Sequence, residues 1–555
     1  MSRKKNKKSK HRAAPPAVAP PHLELPLAEL AAIVERTRTA ALNPEEHAKL
    51  AAAISTLQFL MTEIQAKQAS VGRLRQLLFG ARTEKTRDVL AEASLTAETS
   101  ENGEAGSPQE RPRPPGHGRH AAAAYTGAEK VSVSHPTLHG GDICPGCAQG
   151  RVYLNEPSQL VRITGVAPLG ARVYSCDRLR CNLCGEIYTA PPPEGVGEQK
   201  YDASATSMVG LLKYGTGVPF NRIEKLQAGL GIPLPAATQW DLVRDTAQAL
   251  APTHAELIRQ AAQGKIVYND DTTMKILQLT RQQRAAALAD DADQSRTGVF
   301  TSGIVSTVEG KQIALFFTGV RYAGENLAAV LAHRAADLPA PIQMCDGLSS
   351  NTAGDFETVL SSCLLHSRRK YVEVAESFPE EVRFVLETLR EVYKTDARTR
   401  DMTPQRRLEV HQEDSGPRME ALAKWMQEQF DERKVEPNST LGDAIHYMQG
   451  RWEELTLFLR MPGAPLDSNI VERALKKAIL HRKNALFYRT LNGAHVGDVF
   501  MSLIYTAELN GAAPFDYLVE LQRHAAEISQ SPADWMPWNY AATLAGCTTG
   551  PDPPP

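Results

Sequence analysis

Residues 265–277 read KIVYNDDTTMKIL. Ile266, Val267 and Tyr268 are β-branched or aromatic, and polar residues follow, which predicts a buried strand. The run ends on the acidic pair Asp270–Asp271. Successive side chains on a strand point to opposite faces, so the two carboxylates belong to different faces of any sheet this strand joins. Two more strand-like runs follow, RTGVFTSGIVSTV at 296–308 and KQIALFFTG at 311–319. A helix-like run, GENLAAVLAHR at 324–334, precedes a short strand, PIQMCDG at 341–347, which closes on Asp346.

Strand, strand, strand, helix, strand predicts an α/β domain with a mixed sheet. It is the order in which ribonuclease-H-like folds begin. A carboxylate at the end of the first strand and Asp346 at the end of the later one make half of a site for Mg²⁺ or Mn²⁺, ions that take oxygen ligands. The best donor of the missing ligand is Glu472, in DSNIVERALKKAILHRKN at 467–484. That stretch is helical in pattern and basic. Arg473, Lys476, Lys477, Arg482 and Lys483 are its candidate phosphate contacts. Three carboxylates beside basic residues suit divalent-metal chemistry at a nucleic-acid phosphate. A rival acidic cluster, Asp290, Asp291 and Asp293, sits in ALADDADQSRTG and reads as a solvated hairpin loop.

Between Asp346 and Glu472 lie 125 residues, mostly of helical periodicity, as in FPEEVRFVLETLREVYK and GPRMEALAKWMQEQFDERK. They predict an α-helical insertion over about 370–462 within a catalytic domain spanning 261–500, followed by a C-terminal helical tail at 501–555. Cys363 and His366 stand three apart in CLLHSRRKY, a spacing that shares a helix face, and are candidate supports of the site.

The chain has 555 residues, 42% of them hydrophobic, which fits several globular domains. The net charge of −2 conceals local asymmetry, since residues 3–12 carry seven Lys or Arg. That basic tail (1–23) predicts a phosphate-binding arm, and no apolar segment after it resembles a secretory signal. No apolar run approaches a membrane span, so a cytoplasmic, nucleoid-associated protein with no membrane partner is expected. Residues 24–90 read as a helical, leucine-zipper-like region. Leu50, Ile54, Leu57, Met61, Ile64 and Val71 form a heptad seam that predicts self-association into a homo-oligomer. A Pro, Gly and charge-rich linker covers 91–125. Segment 126–198 holds two C-x-x-C pairs, Cys144/Cys147 and Cys181/Cys184, separated by 33 residues. Four thiolates at this spacing predict a zinc-ribbon-like segment whose Zn²⁺ is structural. Residues 199–260 predict a helix-turn-helix: a helix around 221–230 stopping at Gly231, a turn through 232–235, and a second helix from Ala236. Thr238, Gln239 and Arg244 are its candidate DNA contacts.

These pieces together resemble the transposases of the insertion-sequence-66 (IS66) family, a branch of the acidic-triad (DDE) transposases. The matching motifs are LLFGARTEK at 77–85, the two cysteine pairs, LLKYGTGVPFNRIEKLQAGLGIPLPAATQW at 211–240, DDTTMKIL at 270–277 and CDG at 345–347. They continue with CLLHSRRKY at 363–371, DSNIVERALKKAILHRKNALF at 467–487 and DWMPWNY at 534–540. The resemblance implies a ribonuclease-H-like core with its triad at Asp270, Asp346 and Glu472, and it is what selects Asp270 over Asp271. It implies Mg²⁺-dependent cleavage and strand transfer of DNA at terminal inverted repeats, and it makes accessory proteins from the same element plausible partners. The chain departs from the family pattern at Asp271, where Glu is usual, at Ser468, where Asn is usual, and at Thr273, where Pro is usual. A non-catalytic or domesticated DNA-binding protein and a nuclease that cuts without joining are the competing expectations.

Overall fold

A computed structural model describes residues 199–279, 298–354 and 356–547, with 34–35, 43–51 and parts of 136–194. The basic tail, the linker, the seam residues Ile54 to Val71, Cys144, Cys181, Cys184 and the cluster Asp290, Asp291 and Asp293 lie outside the described residues. The chain divides into two units, 1–91 and 92–555. In the first, the helical stretch 44–51 opens on a reciprocal cap, with Glu46 N donating to Asn43 Oδ1 at 2.8 Å and Asn43 N to Glu46 Oε2 at 3.2 Å.

The second unit begins, among the described residues, with a short antiparallel pair, β1 (Arg178–Arg180) and β2 (Ile187–Thr189). The connection between these strands is the segment that carries Cys181 and Cys184. Next come α1 (Ala203–Gly210), a π-helical turn at Leu211–Gly215, α2 (Phe220–Gly229), α3 (Ala236–Ala249) and α4 (Ala251–Ala261). The chain turns between α2 and α3 through Gly231 at φ +75°, a conformation Gly adopts without a Cβ clash.

The sheet follows. β3 (Ile266–Thr273), β4 (Phe300–Val308) and β5 (Lys311–Gly319) form an antiparallel meander, β4 pairing with β3 on one side and β5 on the other. The chain then forms α5 (Ala323–Leu331), β6 (Ile342–Cys345) and β7 (Val359–Ser362). β6 lies parallel to β3, and β7 parallel to β6. The order across the described sheet is β5-β4-β3-β6-β7, with the first strand in the middle. β7 was not foreseen, because its four residues run directly into the next helix.

The predicted insertion is helical: α6 (Leu364–Glu373), α7 (Pro379–Arg398), α8 (Pro404–Asp414), α9 (Gly416–Asp431), α10 (Thr440–Gln449) and the short α11 (Trp452–Leu455). The chain returns to the sheet through α12 (Asn469–Ala485), α13 (Leu491–Leu509) and α14 (Pro514–Arg523).

Two expected boundaries differ from the structure. The break at 500 falls inside α13, and the helices of 199–260 share one apolar core with the sheet and the C-terminal helices. Val209, Tyr214, Val243 and Leu250 are buried in the same cluster as Val267, Ile304, Phe500 and Tyr517. Among the described residues, the apolar faces of these helices are covered by the sheet and the C-terminal helices, so they dock rather than form a separate body.

Helix α13 also solves the problem of the sheet's edge. β5 is an edge strand, whose outward N–H groups need acceptors. Gln312 N donates to Asn510 Oδ1 at 3.3 Å, Ala314 N to Thr506 Oγ1 at 3.0 Å, Phe316 N to Ser502 Oγ at 3.0 Å and Thr318 N to Asp498 Oδ2 at 2.7 Å. The Thr506 hydroxyl and the Asn510 amide donate back to Ala314 O and Gln312 O. The match is metric: four helical residues advance about 6 Å and two strand residues about 6.8 Å.

Asp498 is fully enclosed, and burial pushes its carboxyl from 3.8 up to about 8, opposed by the N–H and hydroxyl of Thr318. Its folded value exceeds its unfolded one, so the stability it contributes is complete below about pH 4 and is lost as pH rises towards 8. Each pH unit in that window removes up to about 1.4 kcal/mol. Asp498→Asn keeps an acceptor for Thr318 N and gains a donor for the Thr318 hydroxyl, which can turn towards Thr301 Oγ1 at 2.8 Å. The expected result is a variant whose urea midpoint equals or exceeds that of the parent at pH 8 and changes less between pH 5 and pH 8. A steeper fall in the variant would refute the buried-charge account.

Candidate active site

Register decides which carboxylates meet. Tyr268 pairs with Met344 across the parallel strands β3 and β6. That pairing stops there, but continuing its register by two residues would bring Asp270 towards Asp346, just past the end of β6, and the Asp346 charge does act on Asp270. On the other side Asp270 pairs with Gly303 of β4. A Cβ at Gly303 would stand 3.0 Å from Leu475 and 3.3 Å from Val471, so its absence lets α12 lie directly on the sheet. Glu472 is next to Val471, in the first turn of that helix. The positive end of the helix dipole favours a carboxylate there.

Asp271 faces the other way. Its Oδ1 accepts from Ser302 Oγ at 2.6 Å, and its Oδ2 accepts from Ala323 N at 2.8 Å, at the start of α5. Both oxygens are occupied in holding α5 to the sheet. Among the described residues, Asp270 accepts from the N–H of its own neighbour, Asp271, at 2.8 Å. Burial pushes the Asp270 carboxyl up to about 6, the Asp271 N–H opposes this, the Asp346 charge adds to it, and His366 opposes it. A carboxylate desolvated beside another carboxylate either takes up a proton more readily, as this raised value means, or has its charge balanced by a cation.

Asp346 is held by groups that sequence reasoning missed. Its Oδ1 accepts from Asn351 Nδ2 at 2.6 Å and from Leu348 N at 3.1 Å. Asn351 is itself buried, and its carbonyl accepts from Asn269 Nδ2 at 2.7 Å and Gln343 Nε2 at 2.6 Å. Gln343 also donates to Asn269 Oδ1 at 2.9 Å. The network thus locks the loop after β6 to the strand that carries Asp270. Its signal in the sequence is a polar residue inside each apolar strand, Asn269 and Gln343. From the insertion, Tyr447 OH donates to Asp346 O at 3.0 Å, and Arg451 stacks 4.2 Å from the Tyr447 ring.

Glu472 is 29% exposed, and His366 Nε2 lies 3.8 Å from its Oε1. Cys363, His366 and Glu472 each offer an atom within 4.8 Å of the others. Glu472 Oε1 is buried without a hydrogen-bond partner among the described residues. An orphaned carboxylate oxygen, with Asp270 within β3 and Asp346 just past the end of β6, fits a hard divalent cation.

The predicted DNA contacts divide. Arg473, Lys476 and Lys483 are exposed along one side of α12. Lys477 is instead engaged with Glu508 at 2.8 Å and Gly215 O at 3.2 Å. Arg482 binds the hydroxyls of Thr272 and Thr273 at 3.1 and 2.6 Å, strapping the end of α12 to the end of β3. Gln239 is buried and donates to Leu234 O at 2.9 Å and Phe220 O at 3.2 Å, so it ties the α2–α3 turn and faces no ligand. Arg244 pairs with Asp241 and Asp245 of its own helix at 2.9 and 2.8 Å. Thr238 is half-buried. Of the four zinc candidates only Cys147 is described. It is exposed, and its sulfur accepts from Gly150 N at 3.4 Å.

Residues 199–496, more than half the chain and the whole of this site, match the family model described as the IS66 family transposase. The chain belongs to the IS66 family of transposases. Similar curated proteins come from Sinorhizobium fredii (strain NBRC 101917 / NGR234). Uncharacterized protein y4jD is 27% identical over 389 residues, covering 66% of this chain and 72% of the relative. Uncharacterized protein y4qI is 25% identical over 356 residues, covering 61% of this chain and 62% of the relative. IS66 membership implies DNA binding, DNA cleavage and use of a divalent metal. The mixed sheet with its C-terminal helices is compatible with the core of a DDE transposase. Among the described residues, no helix is long and apolar enough to cross a membrane.

Proposed function

We propose that this chain is the transposase of a bacterial insertion sequence, which binds the element's terminal inverted repeats and catalyses DNA cleavage and strand transfer on a ribonuclease-H-like core. One observation supports the reading: Asp270 pairs with Gly303, the position on which the Glu472 helix packs, and the Asp346 charge lies close enough to raise the Asp270 carboxyl.

Asp270, Asp346 and Glu472 are the proposed ligands of Mg²⁺ or Mn²⁺. When bound, the ions supply the positive charge that an in-line displacement at phosphorus requires. The chain's own groups do the positioning. Asn351 fixes Asp346. The Arg482 strap on Thr272 and Thr273 and the close packing on Gly303 fix α12, and with it Glu472. Arg473, Lys476 and Lys483 line the helix for phosphate contact, and each contact adds salt dependence to DNA binding. We assign Cys144, Cys147, Cys181 and Cys184 to a structural Zn²⁺ and the helical N-terminal region to self-association. Helices α2 and α3 are the proposed DNA-reading pair, with Thr238 the one earlier candidate on it whose side chain is not committed elsewhere.

The test uses purified protein, DNA ending in the element's inverted repeats, and Mg²⁺. The expected result is metal-dependent nicking and joined products. Glu472→Gln should bind the ends as tightly as the parent while joining falls by about 10³-fold or more. Undiminished joining by that variant would remove Glu472 from the site. Tight end binding without nicking under any divalent metal would favour the non-catalytic reading.

A further inference from the structure

Two helices meet beside the carboxylates: α6, which starts directly after β7, and α12, which carries Glu472. Cys363 clasps them. Its buried sulfur accepts from Ser468 N at 3.4 Å, and the next residue, Leu364, donates its N–H to Leu466 O at 3.0 Å. With its sulfur taken up by the Ser468 N–H, Cys363 serves the packing of the two helices. Its work is to seat the first turn of α6.

That seating turns His366 towards Glu472. The separation of 3.8 Å between Nε2 and Oε1 is too long for a hydrogen bond. It does suit two ligands of one ion, since atoms each about 2.1 Å from a shared cation stand about 3 to 4 Å apart. Glu472 Oε1 is buried without a hydrogen-bond partner among the described residues, and a shared ion would match it. The His366 atom that faces it is Nε2, and among the described residues no hydrogen bond from Nδ1 holds the ring. His366 also lies close enough to favour the charged form of Asp270.

We infer that His366 is a fourth ligand side chain of the metal centre, sharing a divalent ion with Glu472, so that the centre accepts Mn²⁺ more readily than Mg²⁺. An imidazole is a better partner for Mn²⁺ than for the harder Mg²⁺. The inference rests on the carboxylate reading above.

The test reads the metal directly, without DNA or turnover. Full-length protein is loaded with one equivalent of Mn²⁺ and examined by electron spin-echo envelope modulation. The parent should show nitrogen-14 modulation from a coordinated imidazole. His366→Gln should lose it and bind Mn²⁺ about tenfold more weakly, with Mg²⁺ affinity less affected. Bound Mn²⁺ without nitrogen modulation in the parent overturns the inference, and that result needs no variant to fold. Modulation that persists in a folded His366→Gln protein also overturns it. Asp270→Asn and Asp346→Asn separate the two levels. If they weaken Mn²⁺ binding while the parent lacks the nitrogen signal, only the histidine role fails. If they leave Mn²⁺ binding unchanged, the carboxylate centre fails and the histidine with it.

Discussion

Asp270→Asn should abolish metal-dependent DNA cleavage, while Asp271→Asn, one residue away, should leave cleavage largely intact and cost stability. The expectation follows from face, since the two side chains project to opposite sides of β3. Asp270 pairs with Gly303, on which Val471 and Leu475 of α12 pack, and so shares a face with Glu472. Removing its charge would take away one of the three proposed anionic ligands, and about 10³-fold or more of the rate should go with it. Asp271 holds Ser302 Oγ and Ala323 N. Its amide substitute would set a donor against one of those donors, a mismatch worth about 1–3 kcal/mol. The measurement pairs a nicking assay with a denaturation curve for each variant, at a temperature where both are folded. The opposite pattern, a silent Asp270→Asn and a dead but folded Asp271→Asn, would exchange their roles.

A second large effect is expected at Gly324, in the first turn of α5. A Cβ there would stand 1.9 Å from Thr352 O and 2.8 Å from Ser350 O. Both obstacles are backbone, so no side-chain rotation relieves them. Gly324→Ala must move either α5 or the loop that holds Asn351. Overpacking of this kind costs about 3 kcal/mol. The loop is also where Asp346 takes its hydrogen bond from Asn351, so metal affinity should fall in whatever protein remains folded. Gly229→Ala is the control: a Cβ there meets nothing within 4 Å, and its midpoint should shift little. Equal midpoints for Gly324→Ala and the parent would show that the loop yields freely, and would undo the argument that it is a rigid mount for Asp346.

The central strands were legible because each carries its own pattern. KIVYNDD, GVFTSGIVSTV and KQIALFFTG are short β-rich runs between polar turns, and they became β3, β4 and β5. The insertion helices were legible by periodicity, and the turn before α3 by its Gly and two Pro residues. Charge was less informative. Arg244, Lys477 and Arg482 read as candidates for DNA because sequence gives the sign of a side chain and not its partner. In the fold each is engaged by nearby acceptors. Gln239 misled for a related reason, since a polar residue at a turn serves the backbone as readily as a ligand. The Asn351 network was hidden because its members, Asn269, Gln343 and Asn351, are distant in the chain and meet only when β3 and β6 pair.

The acceptors spaced by four along α13 were there to be read: Asp498, Ser502 and Thr506 punctuate its mostly apolar run, and Asn510 caps its end. Their effect extends beyond one molecule. With four N–H groups and two carbonyls of β5 already satisfied from within, an incoming strand would find few open partners along that border. A second copy of the chain would be expected to dock elsewhere than by extending the sheet at β5.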